Sequence, residues 1–413
     1  MLSAPIFLKA ETKISLGLER LDKILKYFGD PQFKFESCVI TGTVGKGQIT
    51  TNIAYNLSRF GKIALYTSPH LERFSERIKL VENQIETEIS DDEISDLSNV
   101  VFSAEKKLDL ELTYFEHATA MAFLWFAQRK VDFASLEVGM GGRLDAVSTA
   151  KAKIGIIGRV HFDHTDFLGK TLYDIAYEKA LCVPPSSTRI TLHKEGEEQF
   201  DAIKSVSTGR IINEFSYKER TLEEDFIFRR KEIEIFKEGY MEEPIFVNFF
   251  GPDVFVENSV ISSFASYLIL KEFFSRNQGF FDFDVRRVKG RLERRGNFIY
   301  DGGHNPISAE FLLRTIPYRI TFVVAFMKDK DWKTFLSILK PKINYLYITE
   351  IKSERACRSE EIKSFCNEIG ISSEIIPLDK MPELLSGKRE MICFTGTFYL
   401  YNVFKDTVRL AGF

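Results

Sequence analysis

The feature that most constrains this chain is a cluster of glycines set where an apolar run gives way to a helical pattern. Residues 37–41 (Ser-Cys-Val-Ile-Thr) read as a buried strand, and a helical pattern follows over about 48–59. Between them stands Thr41-Gly42-Thr43-Val44-Gly45-Lys46-Gly47. Glycines at these positions let backbone N–H groups turn into the loop, and the following helix N-terminus adds the positive end of its dipole. Lys46 would neutralise β- and γ-phosphate charge. A strand, a glycine turn and a helix in that order predict a phosphate-binding loop in a parallel α/β sheet; the plainer alternative is a glycine-rich turn with a surface lysine. The spacing is a compressed G-T-x-G-K-G form of the common phosphate loop. Gln48 stands where a Ser or Thr hydroxyl is expected. Its amide oxygen is a longer, less exact magnesium ligand, and Thr50 and Thr51 follow one turn later.

Similar strand–helix alternation continues. Residues 62–67, 131–138 and 154–160 read as strands. Residues 113–129 read as a helix with Ala118, Met121, Ala122, Trp125 and Phe126 on one stripe. This alternation predicts a mostly parallel sheet covered on both faces. Residues 194–250 are charge-rich with short alternating runs and predict β-hairpins; 257–274 returns to helix, and 277–284 reads as a linker. A second α/β unit follows, with strands at 297–300, 321–326, 345–349 and 391–394. The expected domains are 1–284, carrying the phosphate loop, and 285–413, a smaller Rossmann-like unit; at roughly 100–200 residues per domain, the 413 residues suit two or three.

Charge excludes some classes of partner. Lys plus Arg total 56 against 59 Asp plus Glu, a net charge of −3, which is not the basic footprint that nucleic acid or an anionic membrane requires. No apolar run approaches about 18 uninterrupted residues, so no membrane span is expected. Residues 1–13 lack a basic segment before a long apolar run, so no secretory signal is expected there. Five scattered cysteines without a C-x-x-C pair predict buried free thiols in a reducing cytoplasm. The 38 phenylalanines read mainly as core.

Further motifs stand in order along the chain: Leu16-Gly17-Leu18-Glu19-Arg20, Tyr66-Thr67-Ser68-Pro69-His70, Leu112-Thr113-Tyr114-Phe115-Glu116, and Leu136-Glu137-Val138-Gly139-Met140-Gly141-Gly142-Arg143-Leu144-Asp145-Ala146. After them come Phe162-Asp163-His164-Thr165-Asp166, Glu178-Lys179-Ala180, Gly290-Arg291-Leu292-Glu293, Asp301-Gly302-Gly303-His304-Asn305-Pro306 and Phe394-Thr395-Gly396. Together they resemble the folylpolyglutamate synthase/dihydrofolate synthase family, within the Mur ligase superfamily, over nearly the whole chain.

The resemblance implies an ATP-dependent amide ligase of Mur ligase architecture that adds L-glutamate to dihydropteroate or a reduced folate through an acyl phosphate. It implies catalytic roles for Lys46, His164, Lys179, Arg291 and His304. It implies ATP contacts at Thr43, Val44, Gly45, Lys46, Gly47, Gln48, Asn258, Arg291 and Asp301. Pterin contacts would be Ile14, Ser15, Leu16, Thr113, Tyr114, Phe115, Glu116, Leu144, Asp145 and Ala146. Two magnesium sites would draw on Ser68, Glu137, His164 and Lys179, the last as a carbamate; taken alone, Lys179 on a helix over 171–181 is a surface lysine. Phe74, in a mobile-looking loop over 68–78, would also face the pterin. Val44 and Gln48 stand where the family usually has Asn and Ser or Thr, and Gly303 where it usually has Ala. A bifunctional enzyme is favoured, with a folylpolyglutamate synthase alone or a catalytically impaired binding paralogue as alternatives. A cytoplasmic monomer is expected.

Overall fold

A computed structural model of the chain describes residues 4–9, 17–237, 239, 241, 244–276 and 281–413. The first sheet holds β1 Glu36–Thr41, β2 Ile63–Tyr66, β3 Ile78–Glu82, β4 Ile85–Glu88, β5 Phe133–Glu137, β6 Ile154–Ile157, β7 Thr188–Thr191 and β8 Ile211–Ile212, in the order β4-β3-β2-β5-β1-β6-β7-β8; short apolar runs become its buried central strands, while β4 is largely exposed. From β2 to β8 all neighbours are parallel; β3 and β4 extend the sheet as an antiparallel hairpin that the periodicity did not announce. The helices of this region are α1 Glu19–Tyr27, α2 Lys46–Leu57, α3 Asp91–Lys107, α4 Tyr114–Arg129, α5 Thr165–Leu168, α6 Leu172–Ala180, α7 Glu198–Ser205 and α8 Val256–Phe273. Ser90 and Thr113 cap α3 and α4 through reciprocal bonds with Glu93 and Glu116, an S/T-x-x-E capping box in each case.

Residues 194–250 are only partly as expected. They hold α7 as well as strands β9 Ser216–Asp225, β10 Phe228–Phe236 and β11 Ile245–Gly251, joined with β12 Asp282–Asp284 in a sheet of order β12-β11-β10-β9. Of the expected linker, 277–280 lie outside the described residues and 282–284 form β12. The last sheet contains β13 Glu293–Arg295, β14 Phe298–Asp301, β15 Ile320–Val324, β16 Ile343–Ile348, β17 Ser373–Ile375 and β18 Ile392–Thr395, in the order β13-β14-β18-β15-β16-β17. It is parallel except for β13, and carries α9 Pro306–Thr315, α10 Trp332–Leu339, α11 Ser359–Glu368, α12 Met381–Ser386 and α13 Tyr401–Leu410.

The chain divides into two compact units. The first comprises Met1–Arg220, Glu232–Phe249 and Glu257–Arg286; the second comprises Thr221–Lys231, Phe250–Val256 and Arg287–Phe413. Two stretches that sequence placed in the first domain thus belong to the second. The reason is apolar burial: Ile227 and Phe228 lie in one core cluster with Leu292, Ile299, Ile316 and Phe322.

Phenylalanine is largely core, as expected: Phe123, Phe126, Phe133, Phe264, Phe298, Phe322 and Phe326 are among the largest fully buried side chains. All five cysteines are free and buried, and burial pushes the thiols of Cys38 and Cys182 up to about 12. The stretch Asp253–Phe273, which includes α8, is long and apolar enough to cross a membrane, but 78% of its apolar 18-residue segment is buried inside the protein. Asn52 and Asn56 of α2 donate to Ser262 and Ser266 of α8, which identifies this helix as core.

Arg189 of β7 is wholly buried and donates to the carbonyls of Ala180, Val183, Pro185 and Ser187, at and just beyond the end of α6. Removing it would leave buried acceptors unsatisfied. Arg189→Met should lower unfolding free energy by on the order of 3 kcal/mol, read from the midpoint of chemical denaturation.

Candidate active site

Ligands of open α/β sheets bind beyond the carboxyl ends of the strands, where strand order reverses. Here β2, β5, β1 and β6 run parallel, with Ile40 beside Glu137 and Ile156, and Tyr66 beside Leu136. Their ends therefore deliver the 67–70 turn, Glu137, the glycine loop and residues 158–164 to one edge.

The glycine loop is held from several sides. Thr41 Oγ1 donates to Gly141 O (2.8 Å), Thr43 N to Arg159 O (2.9 Å), and Thr43 Oγ1 to His161 O (3.0 Å). Gly45 caps α2 at φ 82°, in the left-handed region, and a Cβ there would lie 2.4 Å from Asn258 Nδ2. The helix begins at Lys46, two residues earlier than the periodicity suggested. Val44 is half-buried.

Gln48 has a different partner from the magnesium expected as one option. Its Oε1 accepts a 3.0 Å bond from Asn258 Nδ2, and both side chains are buried. Two nucleotide candidates 210 positions apart thus hold each other. Thr50 Oγ1 donates to Lys46 O within the helix. Nearby, Arg159 makes a two-point ion pair with Glu257, and Val160 N donates to His193 Nε2 (3.0 Å), residues that the motifs did not flag.

Two lysines converge on one carbonyl. Lys46 Nζ donates to Gly42 O at 3.2 Å and Lys179 Nζ to the same oxygen at 3.0 Å. Lys179 is 4% exposed, so the surface reading of it is wrong. It reaches inward because α6 packs on Gly142, where a Cβ would lie 2.6 Å from Lys179 O and 2.7 Å from Glu178 O. Burial first, and then the Lys46 charge, lower the pKa of Lys179 to about 7, opposed by Asp163 and Asp145.

Glu137 ends β5 and is buried. Its Oε2 accepts the Ser68 N–H at 3.0 Å and stands 3.4 Å from where a Cβ of Gly47 would be. These contacts join the carboxylate, the 67–70 turn and the start of α2. His164 lies on the loop that His161 ties to Thr43; it is exposed, has φ 50°, and its Nε2 is 3.8 Å from Asp163 Oδ1. Among the described residues, no three His, Cys, Asp or Glu side chains gather as a metal cage.

The pterin candidates are more tightly packed than expected. Ile14, Ser15 and Leu16 lie outside the described residues. Tyr114 is buried, with the Arg77 guanidinium 5.3 Å from its ring centre and Phe74 edge-on at 6.2 Å. Phe74 is itself buried in the core. Its loop is pinned where Glu76 accepts the N–H groups of Leu71, Glu72 and Arg73, so neither a mobile loop nor an open Phe74 face is found. Phe115 is half-buried over Gly139, 5.9 Å from Tyr66. Glu116 is spent on Thr113 N (2.7 Å) and Arg20 (3.0 Å). Asp145 accepts from Met140 N and Val147 N, both at 3.0 Å; burial pushes its carboxyl up to about 6. Leu144 is half-buried and Ala146 buried beside it.

In the second unit, Asp301 ends β14 and its carboxylate accepts Leu292 N and Gly303 N, both at 2.9 Å; burial raises its pKa, opposed by Arg291. Arg291 is exposed, 4.8 Å from the Phe398 ring centre, and His304 meets the same ring at 6.0 Å. Asn305 caps α9.

No family model matches the chain. It is 28% identical over 416 positions to the dihydrofolate synthase/folylpolyglutamate synthase of Bacillus subtilis (strain 168), covering 93% of each chain. From end to end the chain thus resembles enzymes of the folylpolyglutamate synthase/dihydrofolate synthase family. The fold agrees: a crystal structure of folylpolyglutamate synthase from Thermotoga maritima superimposes with a TM-score of 0.78 at 24% identity, covering 98% of this chain and 95% of that one. The bifunctional folylpolyglutamate synthase/dihydrofolate synthase of Yersinia pestis, complexed with AMPPNP and Mn ion, gives 0.75 at 20% identity, covering 98% and 95%. Gly303 has a local reason to be glycine: a Cβ there would lie 2.5 Å from Ser308 Cβ.

Two outcomes follow from the packing around Lys179. Gly142→Ala should cost about 1–3 kcal/mol of stability, read by denaturation, because the new methyl meets backbone. The lowered pKa of Lys179 means that the native state binds fewer protons than the unfolded state between about pH 7 and the ordinary lysine value of 10.5. Stability should therefore fall as pH drops through that window, and Lys179→Met should flatten this part of a stability–pH curve.

Proposed function

We propose that the chain is an ATP-dependent carboxylate–amine ligase that joins L-glutamate to the carboxylate of a pteroate or folate, and that it performs both the dihydrofolate synthase and the folylpolyglutamate synthase reactions. The observation that carries this is the meeting of Lys46, Lys179 and the glycine loop at Gly42 O, beside Glu137. Such an edge concentrates cations and N–H donors where anionic phosphates would sit.

The chemistry runs in two steps. The substrate carboxylate attacks the γ-phosphorus of ATP, ADP departs, and an acyl phosphate forms. The amine of L-glutamate then attacks the acyl carbon, phosphate leaves with the bonding electron pair, and the amine gives up a proton. Phosphoryl transfer depends on positioning and charge neutralisation more than on covalent help from the protein. Lys46, the N–H groups of residues 43–47 and the α2 terminus would grip the phosphates. In the second unit, Arg291 carries a guanidinium fork suited to an anion and Asp301 a carboxylate, with His304 close to Arg291's ring partner.

The donors suit magnesium. Glu137 and the Ser68 hydroxyl are hard oxygen ligands, and magnesium prefers one or two carboxylates supplemented by water and phosphate oxygens, so no acidic cage is needed. Glu137 and Ser68 would hold one ion and His164 a second. Magnesium would supply Lewis-acid neutralisation of phosphate charge. Lys179 with a pKa near 7 keeps a substantial neutral fraction at physiological pH. Its amine can add to CO₂, losing one proton, to give a carbamate with oxygen donors.

Product analysis tests the reading. With ATP, magnesium and glutamate, dihydropteroate and tetrahydrofolate should each give glutamate-dependent ADP release and a product one glutamate larger. Activity on tetrahydrofolate alone would leave only folylpolyglutamate synthase, and no activity on either would refute the ligase. Gln48→Ser should keep activity and raise the ATP KM by about threefold, since it frees Asn258, with the magnesium requirement unchanged. Complete loss of activity would give Gln48 an essential role.

A further inference from the structure

A buried polar relay lies outside the residues assigned above. Ile6 N donates to Ser98 Oγ at 2.9 Å, and Ser98 Oγ lies 3.1 Å from His117 Nε2. His117 Nδ1 lies 3.0 Å from Glu105 Oε2, while Glu105 Oε1 accepts Lys9 Nζ at 2.8 Å and Leu112 N at 2.6 Å. Lys9 Nζ also donates to Leu112 O at 2.8 Å. Ser98 and His117 are 0% exposed and Glu105 is 2% exposed.

The proton directions are set by chemistry. An ionised Glu105 can only accept, so His117 carries its proton on Nδ1, and its Nε2 accepts from the Ser98 hydroxyl. Burial lowers the pKa of His117, which favours this neutral form. Burial alone would raise the pKa of Glu105, but bonds from His117 and Lys9 outweigh it and hold it low. Ser, His and Glu in this sequence match the connectivity of an acyl-transfer triad, but the serine oxygen is sealed and already accepts an amide. No substrate can reach it, so the relay is not a second active site.

What the relay does is fix two ends of one wall. Through Ile6 and Lys9 it holds the segment whose Phe7 meets Phe74 edge-on at 5.8 Å, and Phe74 meets Tyr114. Through Leu112 it fixes the residue just before the Thr113 cap of α4, which carries Tyr114, Phe115 and Glu116. We infer that Lys9, Ser98, Glu105 and His117 are positioning residues for the pterin side of the site, setting pterin affinity through the start of α4, which the Phe7–Phe74–Tyr114 packing backs, without touching substrate. This rests on the folate-ligase reading above.

Lys9 is the accessible member, with a side chain 14% exposed, and its removal leaves Glu105 buried without its cation. Lys9→Met should raise the KM for dihydropteroate or tetrahydrofolate about fivefold to tenfold, with kcat and the KM for ATP within about twofold of wild type. Lys9→Arg, which restores the charge, should return the pterin KM to within about twofold. An unchanged pterin KM, or an ATP KM that rises equally, would overturn the assignment. Amide hydrogen exchange gives a second readout through Ser98→Ala and Lys9→Met: exchange at Ile6 and Leu112 should rise about tenfold or more while residues 42–57 stay unchanged. Unchanged exchange at both amides would also overturn it. If wild-type protein itself shows no glutamate-dependent ADP release, the ligase reading fails instead, and exchange still decides whether the relay positions the wall.

Discussion

The carbonyl of Gly42 receives two lysine side chains, and much of the first unit is arranged so that it can. One cation arrives from the helix that the glycine loop starts, the other from a helix more than a hundred residues later. The second arrival requires α6 to lie against backbone at Gly142, and the end of α6 is in turn held by Arg189. Two amines so close in a buried setting cannot both remain comfortably charged, and the one with less access to solvent yields its proton more easily. The proposed phosphate grip and a tunable amine thus share one local electrostatic conflict.

The parallel strands were readable because a strand buried on both faces must be a short continuous apolar run. The glycine turn into α2 was readable because glycines, a lysine and a helix start occupy seven consecutive positions. Glu137 was readable as the polar end of an apolar strand. Each of these signals is local. The antiparallel β3–β4 hairpin was missed since its second strand is largely exposed and polar, and so lacks the apolar signal of a buried strand.

What escaped was set by distant partners. Nothing near Lys179 in sequence says that its helix turns that side inward. Gln48 looked like a departure from a hydroxyl ligand, and its bond to Asn258 spans 210 positions. Glu116 and Phe74 looked available to a heterocycle, but Arg20 and Thr113 take up the first and the aromatic core takes up the second. A motif identifies residue types at a site; which atoms remain open depends on packing that the motif does not contain.

The sealed cysteines have a practical consequence. With every native thiol inside the protein and free of disulfide pairing, thiol-directed reagents should find little to modify while the fold is intact. One cysteine introduced on an exposed face would then be the dominant labelling handle, so a single fluorophore or spin label could report on nucleotide binding without first stripping the chain of its own sulfur.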